Sequence, residues 1–162
     1  MDMFEIAIQM EKDAESLYLE LADRSNVSGI KKVFRMLADD EANHRKAIEK
    51  LQKKMDVEPQ KGAATEIKTV FQEMKANFSN IHLDDHAVRD YERALEIEKK
   101  GLEQYKKMLD EAKDEVPKQL YKTLMKQESY HLMTVENLID MVRKPEWWVE
   151  NAEFNPKGDN YY

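Results

Sequence analysis

The chain has 162 residues and a mass of 19.2 kDa, the size of one domain with room for a real core. Four Gly and four Pro are few for an all-β protein, which needs turns. The absence of Cys leaves no disulfide, thiolate nucleophile, zinc finger, iron–sulfur cluster or Cys-ligated rubredoxin centre in this chain. A net charge of -7 disfavours broad nucleic-acid binding, and 36% charged residues describe helices with solvated faces. No run approaches the length of a membrane span, and Met1-Asp2-Met3-Phe4-Glu5 has neither a basic nor an apolar leader. We therefore expect a cytoplasmic protein with no nucleic-acid and no membrane partner.

Four long helices are predicted, the first from about Asp2 to Asp23, with Phe4, Ile8, Glu11, Ala14, Tyr18 and Leu21 on its inward face. The second runs from about Ser28 to Met55, with Ile30, Phe34, Leu37, Glu41, His44, Ile48, Leu51 and Met55 at alternating steps of four and three. A long connection follows, residues 56–85. It begins as loop at Pro59 and Gly62 and then carries Ile67, Val70, Phe71, Met74 and Phe78 at helical spacing, a short amphipathic helix crossing the bundle. The third long helix runs from about His86 to Ala112, with Val88, Tyr91, Leu95, Glu98, Leu102, Tyr105 and Leu109 inward. The fourth runs from about Pro117 to Val142, with Tyr121, Leu124, Glu128, His131, Val135, Leu138 and Val142 inward. Pro117 suits a first helical turn, where its missing N–H costs nothing. Short breaks at 26–29 and 113–116 make two antiparallel hairpins, about 2–55 and 86–142. The expected domain is 1–144, followed by an aromatic tail, 145–162. In that tail Trp147, Trp148, Phe154, Tyr161 and Tyr162 read as a surface strap docked on the bundle or on a partner chain, with a ligand site as the alternative.

The hairpins repeat one another without a gap. An offset of 87 residues carries Glu11 to Glu98, Tyr18 to Tyr105, Leu37 to Leu124, Glu41 to Glu128 and His44 to His131. Self-similarity at a fixed offset marks an internal duplication. Two such hairpins face to face make a four-helix bundle with approximate two-fold symmetry.

Four inward positions where Leu belongs hold Glu11, Glu41, Glu98 and Glu128, and His44 and His131 follow two of them by three residues. On a helix, positions i and i+3 share a face, so each Glu and His can reach one ion. Four buried carboxylates without countercharge would repel one another and lose their hydration; two divalent cations supply the balancing charge. One E-x-x-H match is weak evidence, because roughly half a match is expected by chance at this composition. Two matches on apolar stripes, each at the same offset from a Glu on the preceding helix, are specific. One Glu from each of two helices and Glu-x-x-His from each of the other two is the donor set of dinuclear carboxylate bundles.

The stretches AIQMEKDAESLYLELA followed by LADDEANH, and ALEIEKKGLEQY followed by LMKQESYH, resemble the rubrerythrin family of the ferritin-like superfamily, over nearly all of residues 2–142. The resemblance implies an all-α, ferritin-like four-helix bundle of two duplicated hairpins joined by a long crossover. It implies a site with two iron ions, manganese or a mixed pair being the alternatives. Glu41 and Glu128 resemble the bridging carboxylates, Glu11 and Glu98 the terminal carboxylates, and His44 and His131 the nitrogen ligands. These carboxylates act through the bound metals. Tyr18 and Tyr105 resemble residues that hydrogen-bond and orient ligand carboxylates; by themselves they would read as core aromatics. Two departures from the family matter. Its usual rubredoxin domain needs four Cys, so an electron donor is expected to be a separate rubredoxin-like protein. Its usual extra Glu beside the site is missing, because Glu96 points elsewhere, Gly101 has no side chain and Leu102 is apolar.

The remaining polar residues read as bystanders. Glu15 has Leu102 as twin and counts as an outer residue. Asp40 has Gln127 as twin and reads as solvated, contact with a ligand side chain being the alternative. His82 and His86, near Asp84 and Asp85, read as a helix N-cap region rather than a second metal site. The expected function is a non-haem di-iron oxidoreductase that reduces hydrogen peroxide or dioxygen. The alternatives are a ferroxidase or iron-binding relative without a reductive cycle, and a metal-stabilised scaffold without catalysis. The resemblance also implies a homodimer, and the long connection would permit exchanged helices.

Overall fold

A computed structural model describes residues 1–154; Tyr161 and Tyr162 of the tail lie outside the described residues. Six α-helices and two short 3-10 turns make up its regular structure: α1 (Met3–Arg24), α2 (Ser28–Gln52), α3 (Ala64–Ala76), α4 (Val88–Glu111), α5 (Glu115–Arg143) and α6 (Pro145–Asn151). The architecture is the all-α, ferritin-like bundle. Helix α1 pairs with α2, α4 pairs with α5, and α1 lies against α4. No helix among the described residues is long and apolar enough to cross a membrane.

Local chemistry sets the helix ends. Asp2 and Glu5 form a reciprocal capping box at the start of α1, with Glu5 N–H donating to Asp2 Oδ1 at 2.8 Å. The apolar period carries α2 to Met55, but the helix stops at Gln52 and Met55 is 54% exposed. Lys54 there takes a left-handed φ of 57°. Met55 N–H donates to the Lys50 carbonyl at 2.9 Å and Lys54 N–H to that of Leu51 at 3.0 Å. This is a Schellman stop built on Lys where Gly is usual. Pro117 sits in the first turn of α5, which begins two residues earlier than the proline suggests. Pro145 opens α6.

Two apolar clusters divide the bundle. One gathers the second half of α1, the start of α2, α3, the start of α4, the second half of α5 and α6, around Phe34, Leu37, Ile67, Phe71, Leu138 and Trp148. The other gathers Ala7, Ile48, Tyr105, Met108, Tyr121 and Leu124. Helix α3 buries Ile67, Val70, Phe71 and Met74 and packs against α2, while Phe78 falls beyond its end in a 3-10 turn. Gly29 on α2 lies so close to α3 that a Cβ there would stand 2.6 Å from the Met74 side chain. The tail folds back onto this end of the bundle. Trp148 is buried among Phe71, Phe78 and Phe154, while Trp147 is exposed.

Candidate metal centre

Glu11 comes from α1, Glu41 and His44 from α2, Glu98 from α4, and Glu128 and His131 from α5; all six are buried. Burying six ionisable groups inside a bundle is costly unless each is paired. Their ligand atoms form two groups, each within 4.8 Å: Glu11, Glu41, His44 and Glu128, and Glu41, Glu98, Glu128 and His131. Glu41 and Glu128 belong to both, as the duplication of the sequence requires. His44 Nδ1 lies 2.9 Å from Glu128 Oε1 and 3.6 Å from Glu11 Oε2. Its twin mirrors it, with His131 Nδ1 2.6 Å from Glu41 Oε1 and 3.4 Å from Glu98 Oε1. The two rings face each other at 5.7 Å between centroids, 11° from parallel.

The tyrosines bond across the bundle rather than within their own helix. Tyr105 OH donates to Glu11 Oε1 at 2.6 Å, and Tyr18 OH donates to Glu98 Oε1. Seven residues separate Glu11 from Tyr18 along α1, too far for direct contact, so each hairpin steadies the other's carboxylate. Burial and then the nearby Glu98 or Glu11 charge push both phenols well above their ordinary range, so they stay donors.

The structure corrects the solvated reading of Asp40 and gives its twin Gln127 a matching place. Asp40 is not solvated: it is 5% exposed, and its Oδ2 lies 2.8 Å from His131 Nε2 while accepting from Ala63 N–H at 3.1 Å. Gln127 does the same for the other ring, with Oε1 2.7 Å from His44 Nε2 and Nε2 donating to the Gln60 carbonyl at 3.0 Å. The Gln60 carbonyl can only accept, so it turns the Gln127 amino group toward itself and the amide oxygen toward His44. Both imidazoles therefore carry hydrogen on Nε2 and can offer Nδ1 to a metal. The signal was present in the sequence: a polar residue directly precedes E-x-x-H in both copies. It lies one turn before each His, on the same helix face.

Protons balance the charge. Burial, followed by the Glu11 and Glu98 charges, holds Glu41 well above the usual carboxylate range. Burial and the Glu11, Glu41 and Glu98 charges do the same for Glu128. Burial also pushes Glu11 up, but the bond from Glu41 and the neighbouring His44 outweigh it and bring the group to about 2. Glu98 is likewise lowered, burial being outweighed by His131 and the bonds from Glu128 and Tyr18. Burial pushes the imidazoles down, yet Glu11 raises His44, and Glu98 with Asp40 raises His131 well above its ordinary value.

One oxygen on each terminal carboxylate has no hydrogen-bond partner: Glu11 Oε2 and Glu98 Oε2. Buried carboxylate oxygens left unpaired in symmetric positions fit metal coordination, which would satisfy both. Oxygen-rich donors with one imidazole per group suit iron or manganese. The residues present therefore fit the metals that the donor pattern implies.

A family model described as Rubrerythrin matches residues 2–139. The chain belongs to the rubrerythrin family. Comparison with curated proteins and with solved structures gives no match. Family membership and the buried Glu/His cluster together fit a di-iron protein. The family's usual extra Glu has no equivalent beside this cluster. Glu96 is exposed and pairs with Lys99, and Gly101 is buried with its α-carbon toward Glu128, whose Oε2 would lie 3.6 Å from an added Cβ. His82 and His86 are exposed and join no metal-holding group among the described residues; Asp84 caps the backbone N–H of His86 at 2.9 Å. Glu15 sits at the rim, 3.6 Å from Arg45.

Proposed function

We propose that the chain is a non-haem di-iron carboxylate oxidoreductase that reduces hydrogen peroxide or dioxygen, recharged by a separate rubredoxin-like electron donor. The observation that carries this reading is the pair of buried donor groups sharing Glu41 and Glu128. Two ferrous ions held together supply two electrons, the number that reduces one hydrogen peroxide and two protons to two waters. Glu41 and Glu128, common to both donor groups, would be the carboxylates shared between two ions, Glu11 and Glu98 would serve one ion each, and His44 and His131 would give one nitrogen apiece. Tyr18 and Tyr105 fix the orientation of the terminal carboxylates. The apolar clusters on either side exclude bulk water, which strengthens every charge interaction between them.

A second reading is favoured by Gly101. The site lacks an additional carboxylate there, and its donor set of four Glu and two His is symmetric. That supports a ferroxidase or iron-binding role without a reductive cycle. Elemental analysis of protein purified without oxygen tests the metal first. About two iron atoms per chain are expected. Glu98→Gln should lose about one of the two irons and Glu128→Gln, which removes a carboxylate common to both groups, should lose both; a full complement of iron retained by both variants refutes the site. Rapid mixing of ferrous protein with peroxide or dioxygen, with and without a reductant, then separates the readings. Repeated turnover that depends on the reductant supports the oxidoreductase. Oxidation driven only by fresh Fe(II) supports the ferroxidase.

A further inference from the structure

The two halves of the centre present matching ligands, but they differ in what stands behind each imidazole. The 87-residue offset that pairs every ligand with its twin also pairs Asp40 with Gln127. Each reaches across to the other hairpin's ring, at 2.8 Å from His131 Nε2 and 2.7 Å from His44 Nε2. Both are buried, and both are fixed from the far side by the crossover segment, through Ala63 N–H and the Gln60 carbonyl. Gly62, between these anchors, lies so close that an added Cβ would stand 3.1 Å from Gln127 Cδ. Gln127 is hemmed in by the crossover, and Asp40 is held by its two hydrogen bonds. One imidazole thus donates to a carboxylate and its twin to a neutral amide. An anionic acceptor makes the imidazole a stronger donor to a metal and adds negative charge near the cation.

We infer that the position closed by His131 and Glu98 binds a divalent cation more tightly than the position closed by His44 and Glu11, and fills first. Asp40 is the residue that sets the difference, as a positioning and charge-donating partner rather than a ligand. The inference rests on the dinuclear reading of the site.

Stepwise uptake by the intact protein would not decide it, because two neighbouring cations repel each other even in identical positions. Single-position variants do decide it. Glu11→Gln leaves the His131 position complete, and Glu98→Gln leaves the His44 position complete. Titrated anaerobically with cobalt(II) and followed by visible absorption, Glu11→Gln should bind about tenfold or more tightly than Glu98→Gln. Adding Asp40→Asn to Glu11→Gln should remove that advantage. Asn matches Asp in shape and can still accept from Ala63 and His131, so a loss reports the charge and not a hole. Melting curves of the metal-free variants should coincide within a few degrees. In the intact protein, one equivalent of cobalt(II) should shift the Nε2–H proton resonance of His131 before that of His44. Equal affinities in the two single-position variants, an advantage that survives Asp40→Asn, or His44 shifting first would each overturn the inference. If the intact protein takes up no cobalt(II) or Fe(II), the dinuclear reading itself fails, an outcome distinct from two equal sites.

Discussion

Four carboxyl groups and two imidazoles share a space that water does not reach, so every proton there has an energetic consequence. Without metal, Glu11 and Glu98 hold negative charge, Glu41 and Glu128 favour protons, and both imidazoles favour the charged form. Protons thus favour the places where divalent cations would put positive charge. Cation uptake by the metal-free protein should release protons, because Glu41, Glu128 and both imidazoles are held toward their protonated forms and must give them up to bind. Calorimetry in buffers of different ionisation enthalpy counts them, and a release near zero would contradict the assigned ligands. The same groups set the stability of the metal-free protein. His44 and His131 are raised above 6.5, so the folded state binds more protons than the unfolded chain above that value. Glu41 and Glu128, raised above 4.5, act in the same direction from that lower value upward. Glu11, lowered to about 2, acts oppositely, and its contribution is lost only as pH falls below 4.5. The metal-free protein should therefore melt at a higher temperature at pH 6 than at pH 8.5. With metal bound the slope should flatten or reverse, because the ligands are then already deprotonated. A metal-free melting temperature that rises from pH 6 to pH 8.5 would show that the imidazoles are neutral in the folded state. The tyrosines act on this balance through geometry. Tyr105→Phe removes the hydrogen bond that holds Glu11 Oε1, and should weaken metal binding about 10- to 100-fold with little change in the helix content.

Among the elements, α2 shows how a strong period misplaces a boundary. Leu51 and Met55 continue the apolar stripe, and no Gly interrupts it. The stop comes instead from Lys54, whose left-handed φ of 57° lets the Met55 N–H close back on Lys50. A side chain in that conformation costs about 1–2 kcal/mol, which Gly avoids. Lys54→Gly should therefore raise stability by about 1 kcal/mol, after the greater unfolded-state freedom of Gly is counted. Urea denaturation would show it as a higher midpoint at unchanged slope, and a lower midpoint would mean that the Lys side chain has an unseen role. The seven-residue α6, too short to show a period, reads only as an aromatic tail, whereas the other long helices and α3 were legible because each carries one apolar stripe. The six clustered side chains were legible for the same reason: a charged residue on such a stripe, found twice, has few structural explanations. Asp40 and Gln127 were only half legible as partners: a polar residue precedes E-x-x-H in both copies, but polar residues beside a stripe are usually solvated. Only the path of the crossover over that face shows that these two are covered. The crossed Tyr–Glu pairing also needed the fold, since spacing along α1 and α4 cannot say which hairpin a phenol serves.

At the scale of the whole molecule, the crossover and the tail form one unit against α5. Tyr130 OH, one residue before His131, shares its one hydrogen between the Ala64 carbonyl at 3.0 Å and the Phe154 carbonyl at 3.2 Å, joining the start of α3 to the tail. Asn137 Nδ2 donates to the Glu153 carbonyl at 3.4 Å, and Trp148 Nε1 donates to Asn137 Oδ1 at 3.3 Å. Trp148 is the apolar centre of this assembly, edge-on to Phe71 and tilted against Phe78 and Phe154. No metal-holding side chain touches it in these contacts. Trp148→Ala should therefore cost about 3–5 kcal/mol of stability through lost burial and the cavity left behind. The loss should be nearly equal in metal-free and metal-loaded protein, because it lies outside the donor set. Parallel denaturant titrations of the two forms make the comparison. A loss below about 1 kcal/mol would show that the tail folds independently of the bundle. A loss confined to the loaded form would show instead that the tail acts on the centre, to which Tyr130 gives a connection among the described residues, its helix turn also presenting His131.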